Sequence, residues 1–197
     1  FTASRPFFAM ASCWRRRNRR KLMHIAVFLG ARPGKDPRLA QAARALGQWI
    51  GENGHGLVYG GSKSGLMGAL AQSALAAGAR VTGVEPEFFM EAGLQQEGLS
   101  QLIVTRDMAE RKSRMIALAD AFIIFPGGTG TLEEAAEVTS RLSLGQLNAP
   151  CVFYNLDGYY EGLRALFQAM LAQGLADPAQ FSRVHFAASL AEIEECV

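Results

Sequence analysis

A chain of 197 residues, 49% of them hydrophobic, has enough apolar mass for one sizeable core, and a single domain is the expectation at this length. Its 20 Lys+Arg and 18 Asp+Glu are unevenly spread: residues 1–22 carry seven basic side chains and no acid, which leaves 13 basic against 18 acidic, a net of −5, for the rest. Bulk electrostatics exclude that body as a nucleic-acid binder, and no run reaches the roughly 20 apolar residues of a membrane-spanning helix.

The leader FTASRPFFAMASCWRRRNRRKL (1–22) is expected to be an extension ahead of a start at Met10 or Met23, with the folded domain over 23–197. A transit peptide, a twin-arginine export signal and a basic functional arm are the alternatives. Against export, HIAVFLGA leads directly into the charged ARPGKDPR without a small-residue cleavage pattern. Cys13, Cys151 and Cys196 are far apart, which suggests a reducing, cytoplasmic setting. Neither they nor the scattered His24, His55 and His185 form a metal-ligand pattern, so no metal is expected.

From His24 onward, strand and helix patterns alternate. HIAVFLG (24–30) reads as a buried strand. DPRLAQAARALGQWIGENG (36–54) reads as an amphipathic helix with Leu39, Ala42, Ala43, Leu46 and Ile50 on one stripe, Asp36 as N-cap and Gly54 as stop. A strand (56–61), a helix rich in small residues (65–79) and a strand (80–86) follow. Residues 87–100 read as irregular, then 101–107 as a strand and 108–120 as a helix with Met108, Met115 and Leu118 toward the core. AFIIF (121–125), apolar throughout, predicts a strand covered on both faces, followed by a helix (131–146) and a strand (150–155). A long helix (159–174), a strand (184–189) and a short helix close the chain. The alternation predicts an α/β fold: one Rossmann-like, doubly wound parallel sheet of six or seven strands in a single domain.

Ligands of such sheets bind at the carboxyl ends of strands. The most informative of those ends here is FPGGTGTLEE (125–134). Gly127, Gly128 and Gly130 are expected to allow positive φ and close backbone approach, while Thr129 and Thr131 add hydroxyls. The helix that follows aims its free N–H groups at the loop, which favours an anion, most often phosphate, beside Glu133 and Glu134. Thr131-Leu132-Glu133-Glu134 also fits a capping box, in which Glu134 serves only the helix. The dinucleotide GxGxxG and the GxxxxGK[ST] loop are both absent, which favours a smaller phosphate ester. In RDMAERKSRM (106–115), Arg111 and Lys112 are either a solvated face or cations that neutralise that phosphate.

PGGTGTLEE (126–134), with ERK (110–112) and YGGSKSGLMG (59–68) upstream, resembles the LONELY GUY family over about His24 to Glu192. That resemblance implies a nucleoside 5′-monophosphate phosphoribohydrolase: an enzyme, usually a homodimer or larger, that cleaves an N-glycosidic bond without a cofactor. Arg111 and Glu134 match the family's catalytic pair. Lys112, Gly127, Gly128, Thr129, Gly130, Thr131, Glu133, Ser140 and Gly61 fall where substrate contacts are implied. Thr129 stands where the family loop usually has an aromatic, and Leu29-Gly30-Ala31-Arg32 stands where CGSS is common. The rival readings are a non-catalytic nucleotide or small-phosphate binder and a pyridoxal-phosphate decarboxylase. The second needs a Schiff-base lysine, and none of Lys21, Lys35, Lys63 or Lys112 has a fitting context.

Overall fold

β1 (His24–Phe28) alternates its side chains between two helical layers, and that alternation organises the molecule. The computed structural model describes residues 22–90 and 93–197. The leader up to Lys21, with Met10 and Cys13, lies outside the described residues. Ile25 and Val27 pack with Leu46 and Ile50 of α1 (Pro37–Glu52), Leu70 of α2 (Gly65–Ala76) and Ile193 of α7 (Leu190–Cys196). Ala26 and Phe28 face the opposite layer: Met115 of α4 (Met108–Ala117), Val138 of α5 (Thr129–Ser143) and Phe167 of α6 (Glu161–Ala172).

The sheet has seven parallel strands in the order β4-β3-β2-β1-β5-β6-β7. They comprise β2 (Gly56–Tyr59), β3 (Arg80–Pro86), β4 (Gln101–Thr105), β5 (Ala121–Ile124), β6 (Cys151–Tyr154) and β7 (Val184–Ala187), with β1 near the centre. β1, β2, β5 and β6 carry continuous apolar runs because both their faces are covered. β4, on the edge, leaves Leu102 and Val104 exposed. The stretch expected to be irregular holds a short helix, α3 (Glu87–Met90), and Gln95 forms an isolated bridge with Ser62.

Sequence signals account for the helix ends that matter. Asp36 caps α1 by accepting from Arg38 N–H at 2.9 Å, and Gly54 ends it at φ 73. α1 and α2 approach closely: a Cβ on Gly47 would stand 2.3 Å from Leu70 O. The small residues of α2 therefore serve a helix–helix contact as well as the sheet. Leu118, expected in the core, is 39% exposed because α4 ends at Ala117. Among the described residues, no helix is long and apolar enough to cross a membrane.

Candidate active site

The chain builds β1 to β4 outward in one direction and then crosses back to lay β5 beside β1. The carboxyl ends of β1 and β5 therefore diverge and open a cleft, the usual ligand position in such sheets. A cleft of about 710 Å³ lies there. The loop after β1 (Gly30 to Arg32) and the loop after β5 (Pro126 to Thr131) face each other across it. They touch at their base, where Gly30 N–H donates to Pro126 O at 3.3 Å.

The glycines of the second loop do not work through positive φ, contrary to expectation; none of Gly127, Gly128 and Gly130 adopts it. Close approach explains the first of them. A Cβ on Gly127 would lie 2.1 Å from Thr131 Oγ1 and 2.9 Å from Gly30 N, so any side chain would force the loops apart. Cβ atoms on Gly128 and Gly130 would meet nothing within 4 Å, so these two leave space beside the backbone. α5 begins at Thr129, two residues earlier than the sequence pattern suggests, with Gly128 as an N-cap that has no side-chain cap. Its first-turn N–H groups are left to the cleft, as anion binding requires. Because Gly128 is the N-cap, Thr131 and Glu134 form no capping box, and Glu134 points elsewhere.

It points to Arg111. Arg111 Nη1 donates to Glu134 Oε1 at 2.9 Å, and Arg111 Nε donates to Val84 O at 3.0 Å. Both residues are 7% exposed, and both line the cleft. Burial pushes the Glu134 carboxyl above the ordinary glutamate range, and the Arg111 charge pulls it partly back. α4 carries Arg111 to this position because Asp107 caps the helix by accepting from Glu110 N–H at 2.8 Å. Met67, Phe89 and Met108 give the same cleft an apolar wall.

Three residues at or next to this site carried no signal in the sequence. Glu85, within β3, is 2% exposed, and its Oε2 has no hydrogen-bond partner. Burial raises its pKa, opposed by the charge of Arg111. The Tyr59 hydroxyl is likewise buried without a partner, and burial together with the Glu85 charge raises its pKa. Tyr159, which the helical pattern counts as a helix start, lines the cleft and donates from its hydroxyl to Gly127 O at 2.5 Å.

Other expected contacts do not line the cleft of a single chain. Lys112 Nζ pairs with Glu133 Oε1 at 2.5 Å and Glu137 Oε2 at 3.2 Å, bridging α4 to α5. Ser140 is exposed further along α5, and Gly61, at φ 86, packs on Glu85. Among the described residues no lysine lines the cleft, and the bond to Glu133 holds the Lys112 pKa above its usual value. A cleft without a lysine offers no Schiff-base partner to pyridoxal phosphate. Cys151 is buried in β6 and Cys196 half-buried in α7, both as free thiols. No group of three or more His, Cys, Asp or Glu converges among the described residues.

A helix start without a side-chain cap, an apolar wall and a buried carboxylate–guanidinium pair lie together at the switch point of a Rossmann-like sheet, the place where enzymes of this fold class hold small ligands. A family model described as "Possible lysine decarboxylase" matches residues 67–196. The cytokinin riboside 5′-monophosphate phosphoribohydrolase of Rhodococcoides fascians is 44% identical over 163 residues, covering 81% of each chain. The protein of that name from Arabidopsis thaliana, LOG7, is 38% identical over 158 residues, 80% of this chain and 73% of that protein. The chain belongs to this family, the LONELY GUY phosphoribohydrolases. Among solved structures, the molybdenum cofactor carrier protein of Chlamydomonas reinhardtii superposes with a TM-score of 0.67 at 24% identity, over 88% of this chain and 94% of that one, a likeness of fold alone.

Proposed function

We propose that this chain hydrolyses the N-glycosidic bond of a nucleoside 5′-monophosphate, either AMP or a cytokinin riboside monophosphate, to free base and ribose 5-phosphate. The names of its relatives support that reaction. The observation that carries it is the buried Arg111–Glu134 pair, one helical turn from the anion loop. Thr131 and Glu134 are three residues apart on α5, a spacing that sets Cβ atoms about 5–6 Å apart on one face. A phosphate held by the backbone N–H groups of Gly128 to Thr131 thus leaves the ribose beside Glu134. Thr129 and Thr131 add hydroxyl donors, and Gly127 keeps the loop closed on β1.

Cleavage at C1′ develops positive charge on the sugar, which a carboxylate stabilises directly or by activating water. In this reading Glu134 is that carboxylate. Its raised pKa makes it a better base than a free glutamate, and its burial strengthens its field. Arg111, anchored on Val84 O, orients it and keeps it ionised. The apolar wall of Met67, Phe89 and Met108 takes the base. A non-catalytic binder would need the loop and the wall but not this pair.

Lys112, Glu133 and Ser140 act, on this view, where copies meet. Glu133, Glu137 and Ser140 recur along one stripe of α5 that continues to its C-cap Leu144, which is 67% exposed. Such a stripe supports a homodimer or larger homo-oligomer, which light scattering on the purified protein would register. The free thiols support a cytoplasmic setting. Residues 23–197 form the catalytic domain in this reading, with 1–22 outside it. Incubating the protein with AMP and with a cytokinin riboside monophosphate, then chromatographing for free base, tests the reaction. Base release from at least one is the expected result; release from neither contradicts it.

A further inference from the structure

The turn between β6 and α6, Asn155-Leu156-Asp157-Gly158-Tyr159-Tyr160, grips the anion loop from outside it. Tyr159 donates to Gly127 O at 2.5 Å and Tyr160 donates to Phe125 O at 2.8 Å, so two consecutive hydroxyls hold the two carbonyls that bracket Pro126. The turn is built tightly for this. Asp157 at φ 50 is the only described non-glycine residue at positive φ, and Gly158 follows at φ 77. Strained backbone of this kind persists where the surroundings hold it and concentrates at functional sites. The surroundings here are Asn155, whose Oδ1 accepts from Tyr160 N–H at 2.7 Å, and Arg38, which pairs with Asp157 at 2.9 Å. Tyr160 is buried, whereas Tyr159 is 53% exposed and lines the cleft.

The peptide that Tyr159 grips joins two glycines. With no Cβ on either side, it can turn over at little steric cost. A trans peptide points its C=O and N–H in opposite directions, so the two orientations offer an anion opposite partners. In the observed one, Gly127 C=O is taken by Tyr159, and Gly128 N–H finds no acceptor among the described residues. We propose that Tyr159 is a positioning residue: its hydroxyl locks the Gly127–Gly128 peptide so that Gly128 N–H, rather than Gly127 C=O, meets the substrate's 5′-phosphate. This rests on the reading of residues 127–131 as the phosphate loop.

The test compares Tyr159→Phe and Tyr159→Leu with the unaltered protein. Calorimetry with ribose 5-phosphate gives the affinity, and steady-state kinetics on AMP and adenosine give the KM-against-kcat split. Both variants should keep the melting temperature, bind ribose 5-phosphate about tenfold more weakly and raise KM for AMP to match. kcat should change by less than about threefold, and adenosine turnover should not change. Unweakened binding by Tyr159→Phe overturns the lock and leaves the proposed reaction intact. So does a loss confined to Tyr159→Leu, which would make the ring, not the hydroxyl, the working part. Failure of the unaltered protein to bind ribose 5-phosphate overturns the phosphate loop and the lock together.

Discussion

Arg111 and Glu134, 23 residues apart in the chain, meet at 2.9 Å in the cleft beside the switch point of the sheet. α4 delivers one and α5 the other, and β5 runs between these helices in sequence. Val84 O fixes Arg111 from a third direction, so the guanidinium cannot swing away without losing two hydrogen bonds. A buried pair is a weak device for stability, since desolvation offsets most of its attraction. Its position therefore argues for chemistry.

Glu134→Gln keeps the shape and an oxygen that accepts from Arg111, but it removes the charge. The protein should still fold, with a lower melting temperature because the buried Arg111 loses its counter-charge, and release base about 10²–10⁴-fold more slowly. Chromatographic rates on the folded variant check this; undiminished base release would return Glu134 to a structural role. Arg111→Lys retains the charge but loses the planar fork that serves Val84 O and Glu134 together. It should lower both activity and melting temperature.

The pH profile follows from the raised pKa of Glu134. In the proposed reaction Glu134 acts as the carboxylate, so kcat/KM should fall as pH drops through the folded-state value. That acid limb should be centred above the free-glutamate value of about 4.3. A limb at or below that value would contradict the burial argument.

Glu85 predicts a pH effect on stability. Its folded pKa lies above its unfolded one, so the fold prefers the neutral acid. The resulting contribution is full below the unfolded value and is lost as pH rises through the folded value. Tyr59 and Arg111 are the titratable groups that face it. Glu85→Gln removes the loss, so its melting temperature should gain on the original as pH rises from the free-glutamate value of about 4.3 toward neutrality. A constant difference across that range would mean that Glu85 does not titrate there.

Two glycine substitutions should act with opposite signs. Gly47→Ala drives a Cβ to 2.3 Å from Leu70 O and should cost about 1–3 kcal/mol, a melting-temperature drop of several degrees. Gly162→Ala in α6 meets nothing within 4 Å and should stabilise by about 0.5 kcal/mol. Thermal unfolding of the two variants reads both signs.

The periodicity of the chain carried the strands and helices to within a few residues, because continuous apolar runs and caps such as Asp36 are local signals. The glycine loop and the Arg111–Glu134 pair were legible as motif. Their meeting was not, since it depends on how α4 and α5 pack. The N-cap at Gly128, in place of Thr131, had no propensity signal to mark it. Glu85 looked like one more residue of the RVTGVEP strand, and Tyr159 like the first turn of a helix; each matters through a neighbour remote in the chain. Lys112 and Glu133 directly follow or precede Arg111 and Glu134 in the chain yet miss the cleft and pair with each other, because neighbouring positions on a helix point about 100° apart.

The most direct test of the account is the ratio of kcat/KM on AMP to that on adenosine, with base and sugar product both quantified. Anchoring of the 5′-phosphate at the start of α5 predicts equimolar adenine and ribose 5-phosphate from AMP, and at least about 10²-fold lower efficiency on adenosine. Equal efficiency on the two would contradict it.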